Sequence, residues 1–234
     1  MFFIILMMKL RPFKQVDVFT NRAYYGNPLA VVLDGSGLST AEMQRFANWT
    51  NLSETTFLLP PSNPAADYAV RIFTASRELP FAGHPTLGSC HTWLQAGGVP
   101  KQADEIVQEC GVGLVKIKRT GERLAFAAPP LMRSGPVEAE TLLRVAACLG
   151  VAPDDVLAHQ WVVNGPQWLA IMLRSAEQVL ALKPNFPAMG DLDIGVVGPY
   201  ADGAACQFEL RAFAGGDGAG RGHRRRAHPR RRAA

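Results

Sequence analysis

The sequence predicts an α+β fold built from two similar lobes. Alternating apolar and polar residues, as in "YAVRIFT" and "CQFELRAFA", indicate many strands and only a few amphipathic helices. Both quoted strands carry an Arg-x-Phe pattern, which begins at Arg71 in the first strand and at Arg211 in the second. A repeat of about 140 residues suggests two lobes of the same kind.

The first half of the chain reads as strands around one early helix. "VDVFT" and "LAVVLD" are predicted strands joined by a turn-rich segment. Ser39 is followed three residues later by Glu42, and this capping box predicts a helix that ends near Trp49. The β-branched residues of "SETTFLL" predict a strand that begins near Glu54, and "YAVRIFT" supplies the next strand.

The second half of the chain also predicts several strands and one helix. "GLVKIKR" and "RLAFAAP" form a predicted hairpin around Thr120 and Gly121. "EAETLLRVAACLG" is an amphipathic helix that Gly150 closes. Asn164 and Gly165 lie between two apolar runs and predict a second hairpin, and "CQFELRAFA" is the last predicted strand.

A helix that begins at "GHPTLG" and ends at Gly97 and Gly98 is the first candidate for a functional site. Pro85 restricts the preceding residue to an extended backbone, so His84 is predicted to be the N-cap. It would lie beside the free N–H groups of Thr86 and Leu87, while Gly83 leaves room for a ligand. Such a helix start attracts anions. A capping histidine with a purely structural role is the open alternative.

Glu54 is the second candidate. It lies where the first helix passes into a strand, next to Ser53, and glutamate is an uncommon residue at the start of a central strand. Its carboxylate is either solvated or held in a pocket with a raised pKa. The residues alone favour the solvated alternative.

The stretches "VDVFTNRAYYGNPLAVV", "NLSETTF" and "RIFTASRELPFAGHPTLG" resemble the phenazine-biosynthesis PhzF-like isomerases of the diaminopimelate epimerase-like superfamily. The resemblance implies that each lobe is a curled, mostly antiparallel sheet around a central helix. It implies an N-terminal lobe over residues 14–110 and an incomplete C-terminal lobe over residues 111–214. The active site would lie in the cleft between the lobes.

The resemblance also implies a function. A cofactor-independent isomerase would move a proton on a small unsaturated or amino carboxylic acid. Glu54 would be the general acid/base, and Ser53, Gly83 and His84 would contact the substrate. The alternatives are a non-catalytic small-acid binding protein and a broken enzyme.

Composition argues against other classes of protein. His84 and His91 lack the spacing of helical zinc ligands, and "GVG" at 111–113 lacks a nucleotide fingerprint, so neither a metal nor a cofactor is expected. Four scattered cysteines indicate reduced thiols in the cytoplasm. The apolar start "MFFIILMM" is too short to span a membrane, and translation starts at Met1, Met7 or Met8. The oligomeric state stays open, with a homodimer as one alternative.

The end of the chain, residues 215–234, is rich in arginine. Seven arginines lie in 221–234, so the formal net charge of +4 leaves −3 for the first 220 residues and argues against a nucleic-acid partner. The composition suggests an out-of-frame tail in place of the second lobe's central helix; a nucleic-acid or membrane arm is the weaker alternative. The chain is therefore expected to be disordered beyond Gly216 and to lack enzymatic competence as written. Its last strand is expected to have no helix over one face and to leave an unpaired edge.

Overall fold

The computed structural model describes residues 10–20, 22–215 and 225–227, which form two β-sheets with their helices. The strands of the first sheet are β1 Phe13–Val18, β2 Asn27–Val32, β3 Thr55–Leu59, β4 Tyr68–Phe73, β5 Glu78–Leu79, β6 Glu105–Cys110, β7 Gly113–Thr120 and β8 Arg123–Phe126. They lie in the order β1-β2-β3-β4-β6-β7-β8, with β5 beside β4. Only the pairs β2–β3 and β4–β6 are parallel.

The second sheet continues the α+β pattern. Its strands are β9 Arg133–Gly135, β10 Ala158–Val163, β11 Trp168–Met172, β12 Asp193–Pro199, β13 Phe208–Ala214 and β14 Arg225–Ala227. They lie in the order β14-β13-β12-β11-β10-β9, and only β11 and β12 run parallel. The predicted α+β fold in two lobes is therefore confirmed.

The helices are α1 Thr40–Thr50, α2 Gly83–Gln95, α3 Ala139–Leu149, α4 Ala176–Ala181 and α5 Phe186–Met189. The predicted capping box is present, because the Ser39 hydroxyl accepts from the Glu42 N–H and the Glu42 carboxylate accepts from the Ser39 N–H. Gly150 ends α3 with the left-handed backbone expected there. None of the described helices is long and apolar enough to cross a lipid bilayer.

Helix α2 is enclosed by the first sheet. It contacts β1, β2 and β3 at one end of the strand order and β6 and β8 towards the other, so the sheet curls around it. Close approach depends on Gly88, where a Cβ would lie 2.6 Å from Leu29 Cδ2 and 2.9 Å from Val18 Cγ2. Next to it, the Ser89 hydroxyl donates to the Thr56 hydroxyl, so the polar group of this buried turn is satisfied.

The two lobes repeat one arrangement. Strands β1 to β4 pair antiparallel, parallel and antiparallel in turn, and β10 to β13 do the same. The guanidinium of Arg71 lies 5.1 Å from the ring centre of Phe73, and that of Arg211 lies 4.8 Å from the ring centre of Phe213. The Arg-x-Phe pattern therefore marks equivalent strands of the two lobes.

The boundary between the lobes differs from the expected one. Strands β7 and β8 continue the first sheet through a tight β6–β7 turn, in which Cys110 pairs with Gly113. Residues 111–126 therefore belong to the first sheet, and the second sheet begins with β9.

The last strand is more fully paired than expected. β13 lies between β12 and β14, because the edge of a strand pairs through its backbone whatever the side chains are. The expected unpaired edge is therefore wrong. Helix α4 also packs on β13, although Phe208 and Leu210 are 49% and 42% exposed. Residues 1–9, 216–224 and 228–234 lie outside the described part, and with them most of the expected disorder beyond Gly216.

The tight contact at Gly88 makes a testable prediction. Gly88→Ala places a methyl group against Leu29 and Val18, so the free energy of unfolding should fall by about 1–3 kcal/mol through overpacking. His91→Ala on the exposed side of the same helix is the matched control and should change stability by less than about 0.5 kcal/mol. Urea titration followed by circular dichroism measures both, and equal stability of the two variants would contradict the close packing.

Candidate active site

Glu54 lies at a buried junction between a helix and a strand. After α1, Asn51 adopts a left-handed backbone with φ 54° and turns the chain towards β3, which begins at Thr55. The carboxylate therefore enters the protein and does not point to solvent: Glu54 is 1% exposed and Ser53 is 8% exposed. The solvated alternative, which the residues alone favour, is wrong because the turn at Asn51 directs the chain inward.

His84 is the partner of Glu54. Its Nε2 atom lies 3.2 Å from Glu54 Oε2, and both side chains are at most 4% exposed. The structure thus brings together two of the predicted site residues, which are 30 positions apart in the sequence. A carboxylate and an imidazole at this distance, with water largely excluded, form a unit that can hold or transfer a proton.

The start of α2 differs from the prediction. The N-cap is Ala82, with an extended backbone, and His84 is the second residue of the helix. Pro85 is tolerated at the third position because the first N–H groups of a helix need no intrahelical acceptor. The Thr86 N–H donates to the Ala82 carbonyl, so the prediction that it is free to bind a ligand is wrong. Gly83 begins the helix beside Phe126, whose ring a Cβ would approach to 3.1 Å.

The Glu54 side chain faces a cleft between the lobes. The cleft has an empty volume of about 220 Å³, including its part open to solvent. The first lobe supplies its walls with Glu54, Thr74, Arg77 and Leu79, and the second lobe with Pro166, Trp168, Asp193 and Ala214.

Two charged residues of this cleft were not predicted from the sequence. Asp193 is 4% exposed, and its Oδ2 lies 3.7 Å from the Arg77 guanidinium. The sequence carries one signal for Asp193, because an acidic residue stands directly before the strand-like "IGVVG" just as Glu54 stands before "TTFLL". Arg77 carries no comparable pattern, since exposed arginines are common in loops.

Comparison with known proteins identifies the family of this chain. The model of the phenazine biosynthesis-like protein family matches residues 16–219. The chain belongs to this family. It is 39% identical over 215 residues to antisense-enhancing sequence 1 of Schizosaccharomyces pombe, covering 86% of this chain and 72% of that protein. It is 31% identical over 202 residues to the trans-2,3-dihydro-3-hydroxyanthranilate isomerase of Pseudomonas chlororaphis, covering 85% of this chain and 69% of that enzyme.

A solved structure of the phenazine biosynthesis-like family shows the same fold. The PhzF-family protein of Bacillus anthracis superposes with a TM-score of 0.71 at 24% identity, covering 88% of this chain and 73% of that one. Two further relatives, both named uncharacterised isomerases, are matched over only 50% and 54% of their length. The chain is thus a member of an isomerase family. It spans only part of the length of its relatives.

The cysteines of this family member lie away from the cleft lining. Cys90 is fully buried in α2, and burial raises the pKa of its thiol to about 12. A thiol of that pKa stays protonated at neutral pH and is a poor acid, base or nucleophile. Among the described residues, no three His, Cys, Asp or Glu side chains are grouped closely enough to hold a metal ion.

The burial of Cys90 can be tested directly. A variant that keeps it as the only cysteine (Cys110→Ser, Cys148→Ala, Cys206→Ser) should react with Ellman's reagent only after unfolding, because the native thiol is protonated and enclosed. The same protein in guanidinium chloride is the control for complete reaction. Rapid labelling of the native protein would show that Cys90 is accessible.

Proposed function

We propose that the chain is a cofactor-independent isomerase that moves a proton within a small unsaturated or amino carboxylic acid. The observation that supports this function best is the Glu54–His84 contact of 3.2 Å, buried where the two lobes meet. A general acid or base must reach the substrate proton in a site from which water is excluded. Glu54 is buried, lines the cleft and is held by the α1–β3 turn, which supports its assignment as this acid or base.

The start of helix α2 is proposed to bind the anionic group of the substrate. Its second residue, His84, contacts Glu54, and the dipole and N–H groups of a helix start favour negative charge. His84 and Gly83 at this end, together with Ser53 beside Glu54, are proposed to contact the substrate. These donors would also stabilise the negative charge that develops when a proton leaves carbon. The first substrate to test is trans-2,3-dihydro-3-hydroxyanthranilate, for which the Pseudomonas relative is named.

One prediction of this function concerns the proton that Glu54 would carry. Glu54→Gln keeps the shape of the side chain but removes its acid–base function, so kcat should fall by about 10²–10⁴. Glu122→Gln, at the exposed β7–β8 turn, is the control and should keep full activity. Isomerisation is followed by NMR in heavy water, and circular dichroism confirms that both variants are folded.

The outcomes separate the proposed function from its alternatives. Activity of Glu54→Gln within a few-fold of the parent would reject Glu54 as the proton carrier. A parent chain that binds the compound without deuterium uptake would instead be a small-acid binding protein. A parent chain that neither binds nor converts it would be a broken enzyme, as expected from the incomplete second lobe, and would reject the proposed function.

A further prediction concerns the role of His84 in substrate binding. His84→Asn keeps a shorter amide near Glu54 but removes the imidazole, so KM should rise by roughly tenfold or more through loss of a hydrogen bond to a charged group. The melting temperature should change by only a few degrees. His91→Asn on the exposed face of α2 is the control and should match the parent. Loss of the fold with normal KM in the folded fraction would mean that His84 has only a structural role.

A further inference from the structure

The internal repeat assigns each residue of β3 a counterpart in β12. Arg71 pairs with Phe57 across β4 and β3, and Arg211 pairs with Val196 across β13 and β12. Because Arg71 and Arg211 are equivalent, Phe57 and Val196 are equivalent as well. Their separation along the chain is 139 residues.

A second pair of strands gives the same separation. Thr55 pairs with Ala30 of β2, and Ile194 pairs with Leu169 of β11, both in parallel register. Thr55 and Ile194 are again 139 residues apart, as are Ala30 and Leu169. The residue that precedes Thr55 is Glu54, and the residue that precedes Ile194 is Asp193. The repeat therefore places Asp193 at the position in the second lobe that Glu54 holds in the first.

Asp193 faces the same cleft as Glu54. Side chains alternate along a strand, and Ile194 points into the core of the second lobe with Val196. Asp193 must then point to the opposite side, where it lines the cleft at 4% exposure. The cleft thus holds two buried carboxylates, one from each lobe, at equivalent positions.

Arg77 offsets the charge of the second carboxylate. Its guanidinium lies 3.7 Å from Asp193 Oδ2 and is itself 44% exposed. The loop that carries Arg77 is held by Thr74, whose hydroxyl accepts from the N–H groups of Ser76 and Arg77. A buried carboxylate needs such a partner to remain charged and ready to accept a proton.

We propose that Asp193 is a second catalytic residue, which exchanges a proton with the substrate from the lobe opposite Glu54; this rests on the proposed isomerase function. One carboxylate takes a proton from a substrate carbon, so a C–H bond breaks, an O–H bond forms and the electron pair delocalises into the unsaturated acid. The other, entering as the carboxylic acid, gives its proton to a second carbon and forms the new C–H bond. Exchange of both groups with water restores the starting protonation.

The test follows deuterium from heavy water into product during turnover of trans-2,3-dihydro-3-hydroxyanthranilate by the full chain. With two carboxylates, the delivered hydrogen comes from a group that has equilibrated with solvent, so nearly every product molecule should carry deuterium. With Glu54 alone, the substrate's own proton can return, and part of the product should carry none. This measurement on the parent protein does not depend on any variant.

Variants then show which residue delivers deuterium to the product. Asp193→Asn should lower kcat by about 10²–10⁴ and leave unlabelled product in the residual reaction. Asp191→Asn, two positions away and 90% exposed, is the matched control and should behave as the parent. Arg77→Gln distinguishes catalysis from positioning: we expect it to lower kcat less than Asp193→Asn and to keep the product deuterated.

Each result decides between the alternatives. Unlabelled product from the parent, or an Asp193→Asn variant as active as Asp191→Asn, would overturn the role of Asp193 and leave the isomerase function intact. Equal losses of kcat in Asp193→Asn and Arg77→Gln, with fully labelled product from both, would overturn it in favour of a positioning role. A parent chain without turnover would overturn both proposals together.

Discussion

The enclosure of helix α2 by the first sheet is the constraint on which the site depends. The helix can lie there only because Gly88 lets β1 and β2 come within contact of its backbone. Once α2 is enclosed, the position of its first turn is fixed. His84 Nε2 then lies 3.2 Å from Glu54 Oε2. The position of His84 is therefore set by packing about one helical turn further along α2, at a glycine that carries no reactive group.

Local chemistry explains what the sequence predicts well. The Ser39–Glu42 capping box, the hairpin at Thr120 and Gly121 and the left-handed Gly150 depend on residues close in sequence, and all three are present. The resemblance implies that Glu54 is the general acid/base and that Ser53, Gly83 and His84 contact the substrate. The structure brings Glu54 and His84 into contact.

Long-range packing explains what the sequence leaves out. The burial of Glu54 depends on a turn at Asn51 and on a second lobe that no local pattern describes. Strand β12 escapes prediction because its glycines and proline weaken the strand signal, although both of its neighbours pair with it along their length. Asp193 was also missed, because its place in the cleft depends on the register of β12 against β11 and β13. Pro85 disfavours a helical backbone at His84. The helix nevertheless includes His84, because the first turn of a helix tolerates proline.

The contact between the lobes at Gly165 has a consequence for which molecules the cleft can admit. A Cβ at this position would lie 2.2 Å from the Phe81 carbonyl oxygen, so the backbones of the two lobes touch with nothing between them. Pro166 and Trp168, which follow on the same strand connection, are walls of the cleft. The separation of the lobes at this contact is thus set by main chain, which cannot adopt another rotamer. Shorter side chains at Trp168 or Leu79 would enlarge the cleft, but the lobes can separate at Gly165 only if one lobe moves as a whole.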